Sequence, residues 1–371
     1  MKKPILFLFI LLYINSFACL NLYFSVDHEG HLHEITDFHE TFRRFNKNFN
    51  LKRIQDKLEK LQLELENEGH YQLLSDYAVL LMKAGEVELS RDLLISLYHS
   101  HPDEYQLAAN LGTAYELCGE VDSALKYIEK GIELNPNAHE GSEWVHIRIL
   151  KTKQELQLDS NYLEKNTVLQ LSENDENDSL VLNQIFIQVH ERFPFSPGPK
   201  DPIMASLLVD LGDCFANIMS IEYAKAIYTL AKNYYGDDSP STQKKIDMMI
   251  SKRMEFNPIQ PERHVYLQGE VIKLSGISQS RMLDDNNKNN FEIDWSRIQL
   301  NTDTLLNWAN VTPFVIEVED SIAPGPIAIV DETIEGPVLG ETQSNYWLWI
   351  VVICCILPPL FVLLYRKKRN Q

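Results

Sequence analysis

The chain has 371 residues, enough for two ordinary domains or one longer helical array. Hydrophobic residues make up 44 % and charged ones 23 %, so most of it is expected to fold. Lysine and arginine number 34 against 53 aspartates and glutamates. Setting aside the six basic residues at the ends leaves 28 against 53 in residues 20–345, a charge of −25, which repels phosphate backbones and excludes nucleic-acid binding.

Residues 1–18 have the anatomy of a secretory signal. Lys2 and Lys3 give a positive start, Ile5 to Ile14 is an apolar run, and Ser16-Phe17-Ala18 places small residues at a cleavage site. Ten apolar residues are too few to span a bilayer. Cys19 follows the cleavage point at once, so simple cleavage and lipidation at Cys19 both stay open, although the aliphatic residue that lipidation prefers is missing upstream. Residues 19–44 form a His-rich N-terminal segment, with His28, His31, His33 and His39 within twelve residues. These four are weak candidates for a metal ion, set against an exposed His-rich loop, and no metal site is assigned. A zincin motif is ruled out, because Leu32 stands where His-Glu-x-x-His needs its second histidine.

Helical signals begin with Leu51, Ile54, Leu58, Leu61 and Leu65, spaced three and four apart and stopped by Gly69. A 34-residue period then sets in. Tyr71–Glu104 aligns with Tyr105–Ala138: both open Tyr-Gln-Leu, Gly85-Glu86-Val87 falls on Gly119-Glu120-Val121, and Pro102 falls on Pro136. The second window carries Leu111, Gly112, Tyr115, Ala124, Ile128, Gly131 and Pro136 in order. Leu211, Gly212, Phe215, Ala224, Tyr228 and Ala231 hold the same offsets in residues 205–238, with Gly236 at the terminal position. The first window keeps the pattern with Ala78, Ser90, Leu94 and Leu97. In period and in these small and bulky positions, the chain resembles tetratricopeptide-repeat (TPR) proteins.

That resemblance implies an all-α fold, a TPR-like α-solenoid of helix pairs over residues 45–255. Its best repeats are 71–104, 105–138 and 205–238. Between them, Glu143–Leu156 reads as a lone helix and Leu180–Phe193 as another, separated by an acidic loop at Asn174–Asp178. Thr242–Met254 is expected to cover the last repeat's apolar edge. Residues 256–345, rich in proline, Asn and Asp, read as an acidic, partly disordered and extended spacer, with alternating runs at Val265–Leu274 and Phe314–Val318 that leave one small hairpin-like piece open. Tyr346–Tyr365 is a stretch of 20 uncharged residues, long enough for one transmembrane helix, with Trp347, Trp349 and Tyr365 at its edges. The basic tail 366–371 keeps the C-terminus cytoplasmic, which puts the body on the periplasmic or exported side. A minority alternative makes this tail a sorting signal removed after transfer to another anchor.

No phosphate loop, nucleophile elbow or catalytic Cys/His pair is present in the sequence, so no enzyme and no cofactor are expected. The TPR resemblance implies a peptide groove lined from the first helix of each pair. Its candidate positions are Gln72, Val79 and Met82; Gln106, Asn110, Thr113 and Glu116; and Val209, Asp213 and Asn217. Lysines that would clamp an acidic peptide end are missing from the positions the family uses, so a neutral or basic, partly apolar segment is the expected ligand. Two functions follow as expectations. One is a membrane-anchored, non-enzymatic adaptor or scaffold that binds a protein partner of the cell envelope through the groove. The alternative is a structural or accessory subunit of an envelope assembly whose contacts lie in the N-terminal segment or the spacer. Neither reading fixes an oligomeric state.

Overall fold

A computed structural model describes residues 23–35, 51–196, 200–256 and 291–314. The leucine spacing of residues 51–65 becomes α1 (Leu51–Glu68), which buries Ile54, Leu58 and Leu65. Two helical hairpins follow, α2 (Tyr71–Ala84) with α3 (Val87–Ser100) and α4 (Tyr105–Leu117) with α5 (Val121–Leu134). Their turns are chemically the same. Gly85 and Gly119 adopt φ of 101° and 82°, the left-handed region that glycine enters without a Cβ clash. The next amide closes each helix end, Glu86 N to the Leu81 carbonyl and Glu120 N to the Tyr115 carbonyl, both at 2.9 Å.

Small residues set how closely the pairs approach. A Cβ on Gly112 would lie 2.7 Å from the Ile128 side chain, and one on Gly131 would lie 3.5 Å from the Ala109 backbone. Because 112 meets 128 while 109 meets 131, α4 and α5 run antiparallel. After α6 (Glu143–Leu158), a one-turn α7 (Glu173–Glu176) and α8 (Ser179–Arg192), the pattern returns in α9 (Pro202–Ile218) and α10 (Ile221–Asn233). There Gly212 faces Tyr228 at 2.3 Å from a would-be Cβ. Gly236 takes φ of 77° beyond α10, and Asp237 N bonds the Ala231 carbonyl at 3.1 Å. α11 (Pro240–Phe256) packs on α10 through Ile246, Met249 and Phe256, covering its apolar edge.

The apolar interior is split in two. One core joins α1 to α5, the other joins α8 to α11, and α6 serves both, with Leu150 in the first and Val145 and Ile149 in the second. Among the described residues the only sheet is the antiparallel hairpin of β1 (Tyr23–Val26) and β2 (Leu32–Ile35), with Val26 opposite Leu32. This part of the His-rich segment sits on the helices. Val26 enters the second core, His28 N donates to the Ala216 carbonyl at 2.8 Å, and Gly30 lies against the Phe256 ring.

Residues 291–314 depart from the extended spacer expected over 256–345. They form a 3₁₀ turn and α12 (Thr302–Trp308), and bury Ile298, Leu305, Leu306, Ala309 and Val311 in the first core. Tyr77 Oη donates to the Gln299 carbonyl at 2.9 Å, Asp294 N to Gln55 Oε1 at 2.9 Å, and Gln299 N to Gln62 Oε1 at 2.7 Å. Gly69 allows the Trp308 carbonyl to close in, since a Cβ there would stand 2.0 Å from that oxygen. The reason is compositional: the aliphatic and aromatic residues of this short stretch are diluted by the polar residues around them. The signal segment 1–18, His39, the proposed span 346–365 and the tail 366–371 lie outside the described residues. No described helix is long and apolar enough to cross a membrane.

Three substitutions test this packing by urea unfolding of the full chain. Gly112→Ala is expected to cost about 1–3 kcal/mol through overpacking against Ile128, and Ile128→Val in the same chain should recover part of it. Leu306→Ala should cost about 2–5 kcal/mol as a core truncation, whereas a free spacer would lose nothing.

Candidate functional site

The first helices of the two regular pairs bring Val79 and Met82 of α2 beside Asn110, Thr113 and Glu116 of α4. They line a pocket of about 150 Å³ that α6, α8 and the turn before α6 complete. Its floor is ionic. Glu116 is 2 % exposed at its side chain and accepts a fork from Arg192 of α8, Nη1 and Nη2 each at 2.9 Å. His146 Nε2 lies 2.7 Å from Oε2, and Lys153 Nζ lies 2.7 Å from Oε1, both from α6. Burial pushes the Glu116 pKa up, but Arg192, His146 and Lys153 outweigh it and hold the carboxyl well below its usual range. A charge this deep is stable only because its lone pairs are met by several donors.

A strained turn forms the wall. His139, Glu140 and Gly141 all have positive φ, at 48°, 58° and 75°. Left-handed backbone at two successive non-glycine residues costs about 1–3 kcal/mol each and needs outside support. α8 supplies that support. Asn183 Nδ2 donates to Glu140 Oε2 at 2.8 Å, Gln184 Nε2 to the Glu140 carbonyl at 3.2 Å, and Gln188 Nε2 to Ser142 Oγ at 3.0 Å. The turn thereby places His139 Nδ1 at 2.5 Å from Glu143 Oε1. Burial opposes the Glu143 charge, yet the His139 and His146 contacts win and hold its pKa down to about 2. The same contact raises the His139 pKa.

The predicted groove positions divide. Val79, Met82, Asn110, Thr113 and Glu116 share the pocket, although Glu116 is saturated within the protein and is no open contact for a ligand. Asn110 Nδ2 donates to Ser75 Oγ at 3.1 Å, tying α4 to α2. Gln72 and Gln106 are exposed and do not line the pocket. The positions of the third pair are corrected: Val209 belongs to the second core, Asp213 is paired with Lys245 and accepts from Tyr228 Oη at 2.7 Å, and Asn217 donates to Glu176 at 3.2 Å. Their face is already covered by the chain itself. Sequence reasoning missed His139, Glu143, His146, Lys153 and Arg192. Glu143, His146 and Lys153 stand three and seven residues apart, the spacing of one helix face, and that signal was available.

The histidine segment has its own order. His31 Nδ1 and His33 Nε2 lie 3.1 and 2.8 Å from Asp27 Oδ2, and His28 Nδ1 lies 3.2 Å from the Ala216 carbonyl. Burial raises the Asp27 pKa, but His33, the backbone amides of His31 and Glu29, and the His31 ring bring it below normal. Among the described residues no group of three or more His, Cys, Asp or Glu side chains could hold a metal ion. No family model matches the chain, and no curated protein matches it.

Glu116→Gln should cost about 3–5 kcal/mol, because Arg192 and Lys153 would stay charged without their partner. Arg192→Met in the same chain should restore part of that loss in urea unfolding. Glu143 is depressed when folded, so its contribution is present above its ordinary pKa of 4.5 and disappears as pH falls toward about 2. Acid titration of stability should therefore steepen below pH 4.5, and Glu143→Gln should flatten it.

Proposed function

We propose that this chain is a non-enzymatic adaptor, a TPR-like scaffold that receives a polypeptide segment of a cell-envelope protein in the pocket between α2, α4, α6 and α8. One observation carries the reading. Five positions predicted for a groove, Val79, Met82, Asn110, Thr113 and Glu116, converge on one pocket from two helix pairs that repeat at 34 residues. The small-residue contacts at Gly112 and Gly212 support the TPR likeness, since both let a second helix approach at the position the family keeps small.

The partner segment is neutral or basic and partly apolar. Val79, Met82, Leu117 and Phe195 offer apolar contact, and the chain's net charge of −19 steers a basic partner toward it. The body lies outside the cytoplasm, with residues 346–365 as membrane anchor and residues 366–371 inside. Contact through the N-terminal segment or residues 256–345 has less support, because Val26, Leu305 and Leu306 are turned inward onto the helices.

Site-specific photocrosslinking in native membranes tests the reading. A benzophenone amino acid at Leu117, which lines the pocket, should trap a polypeptide whose crosslinked segment maps as neutral or basic. The same group at Glu129, which is exposed on α5 and does not line the pocket, should not. Equal labelling at both positions, or none at Leu117, would remove the groove as a binding surface.

A further inference from the structure

We propose that residues 167–176 are a pH-released latch over one face of α9. That face carries Ser206, Asp210, Asp213 and Asn217, spaced four, three and four residues apart. The latch lies along it: Val168 N donates to Ser206 Oγ at 2.9 Å, Leu169 N to Asp210 Oδ2 at 3.2 Å, and Asn217 reaches Glu176. Val168 and Leu169 are buried, but from residue 170 to residue 181 no side chain is. Gln170 stands at φ of 50°, a strained geometry for a non-glycine residue. Two buried apolar side chains, the half-buried Leu171 on the same core, and bonds to Ser206, Asp210 and Asn217, including one from the Thr167 side chain to Asp210, therefore hold the segment down.

Asp210 is the sensitive member. It is 3 % exposed, and the nearby cation Lys245 is bonded to Asp213 instead. The groups facing it are the Thr167 side chain and Leu169 amide of the latch, Asp213 and Cys214 of its own helix and Lys245 of α11, while Glu176 of α7 and Tyr228 of α10 face its neighbour Asp213. Burial, aided by the Asp213 charge, outweighs the Leu169 amide, the Thr167 side chain and the Lys245 ammonium, which favour the carboxylate, and pushes the Asp210 pKa up to about 7. A released, hydrated Asp210 would return toward 3.8. The closed latch thus binds the proton more tightly than the open one. Closure is strongest below pH 3.8, weakens as pH rises, and reaches its minimum above about 7.

Release uncovers the third-pair face, so the latch rests on the groove reading only for what that face would then receive. Hydrogen exchange of the full chain, corrected for intrinsic rates, reads the latch alone and is independent of any partner. Protection of the Val168 and Leu169 amides should be at least ~tenfold greater at pH 5 than at pH 8, while amides of α2 stay unchanged. Asp210→Asn should reduce that difference to less than ~twofold. Equal protection at both pH values, the same dependence in Asp210→Asn, or parallel loss in α2 would each overturn the latch. The wild-type comparison with α2 decides the matter even if the variant does not fold.

Discussion

The Glu116 carboxylate is the constraint on which the rest of the arrangement depends. It stands where the two apolar cores meet, and its partners come from α6 and α8, the helices that break the regular period. Apolar residues there would fuse the two cores, and buried ion pairs are often no more stable than such a replacement. What the ionic floor adds is direction. A bidentate Arg192, a lysine and an imidazole each fix an angle and a distance, so α8 can seat against α4 in one register only. The strained His139–Gly141 turn is then held from α8 by Asn183, Gln184 and Gln188. The wall of the pocket follows from its floor.

Both ends of the helical row are covered, and the coverage is crossed. The hairpin near the N-terminus seals α9 and α11, while residues 291–314, which follow the last helix of the row, return to seal α1, α2 and α3. Stacked helix pairs bury each neighbour's apolar face, so a terminal pair leaves one face bare unless something polar outside and apolar inside covers it. Here Leu305, Leu306 and Ile298 supply the apolar side at one end, and Val26 with the Phe256 ring supplies it at the other.

How much of this was legible follows from which interactions leave a periodic trace. Helix pairs with a glycine opposite a bulky residue repeat at fixed offsets, and Gly112 with Ile128 and Gly212 with Tyr228 stand where the pattern puts them. The Gly85 and Gly119 turns were equally visible, because positive φ restricts the residue type. The ionic floor left a weaker trace. Its α6 members share a helix face, but Arg192 comes from a helix 76 residues beyond Glu116, and nothing local links them. Residues 291–314 were hidden by averaging, since a short apolar stretch inside a polar, proline-rich region does not move the composition. The covering of α9 depends on backbone amides at Val168 and Leu169, which every residue except proline possesses.

The same helix positions therefore end in opposite states, and chain length between helices explains why. In residues 71–134 the connections are short, two residues at Gly85-Glu86, four at 101–104 and three at 118–120, too few to lie across α2 or α4. The face they present stays open as the pocket. Beyond α6 the period lapses, and residues 159–178 separate Leu158 from Ser179. That length is enough to reach α9 and lie along it, and the loop-closure entropy of a longer connection grows only slowly with its length. Keeping the period leaves a groove open, whereas breaking it gives the chain a segment with which to close one. The two halves thus differ less in the helices that build them than in what the intervening chain is free to do.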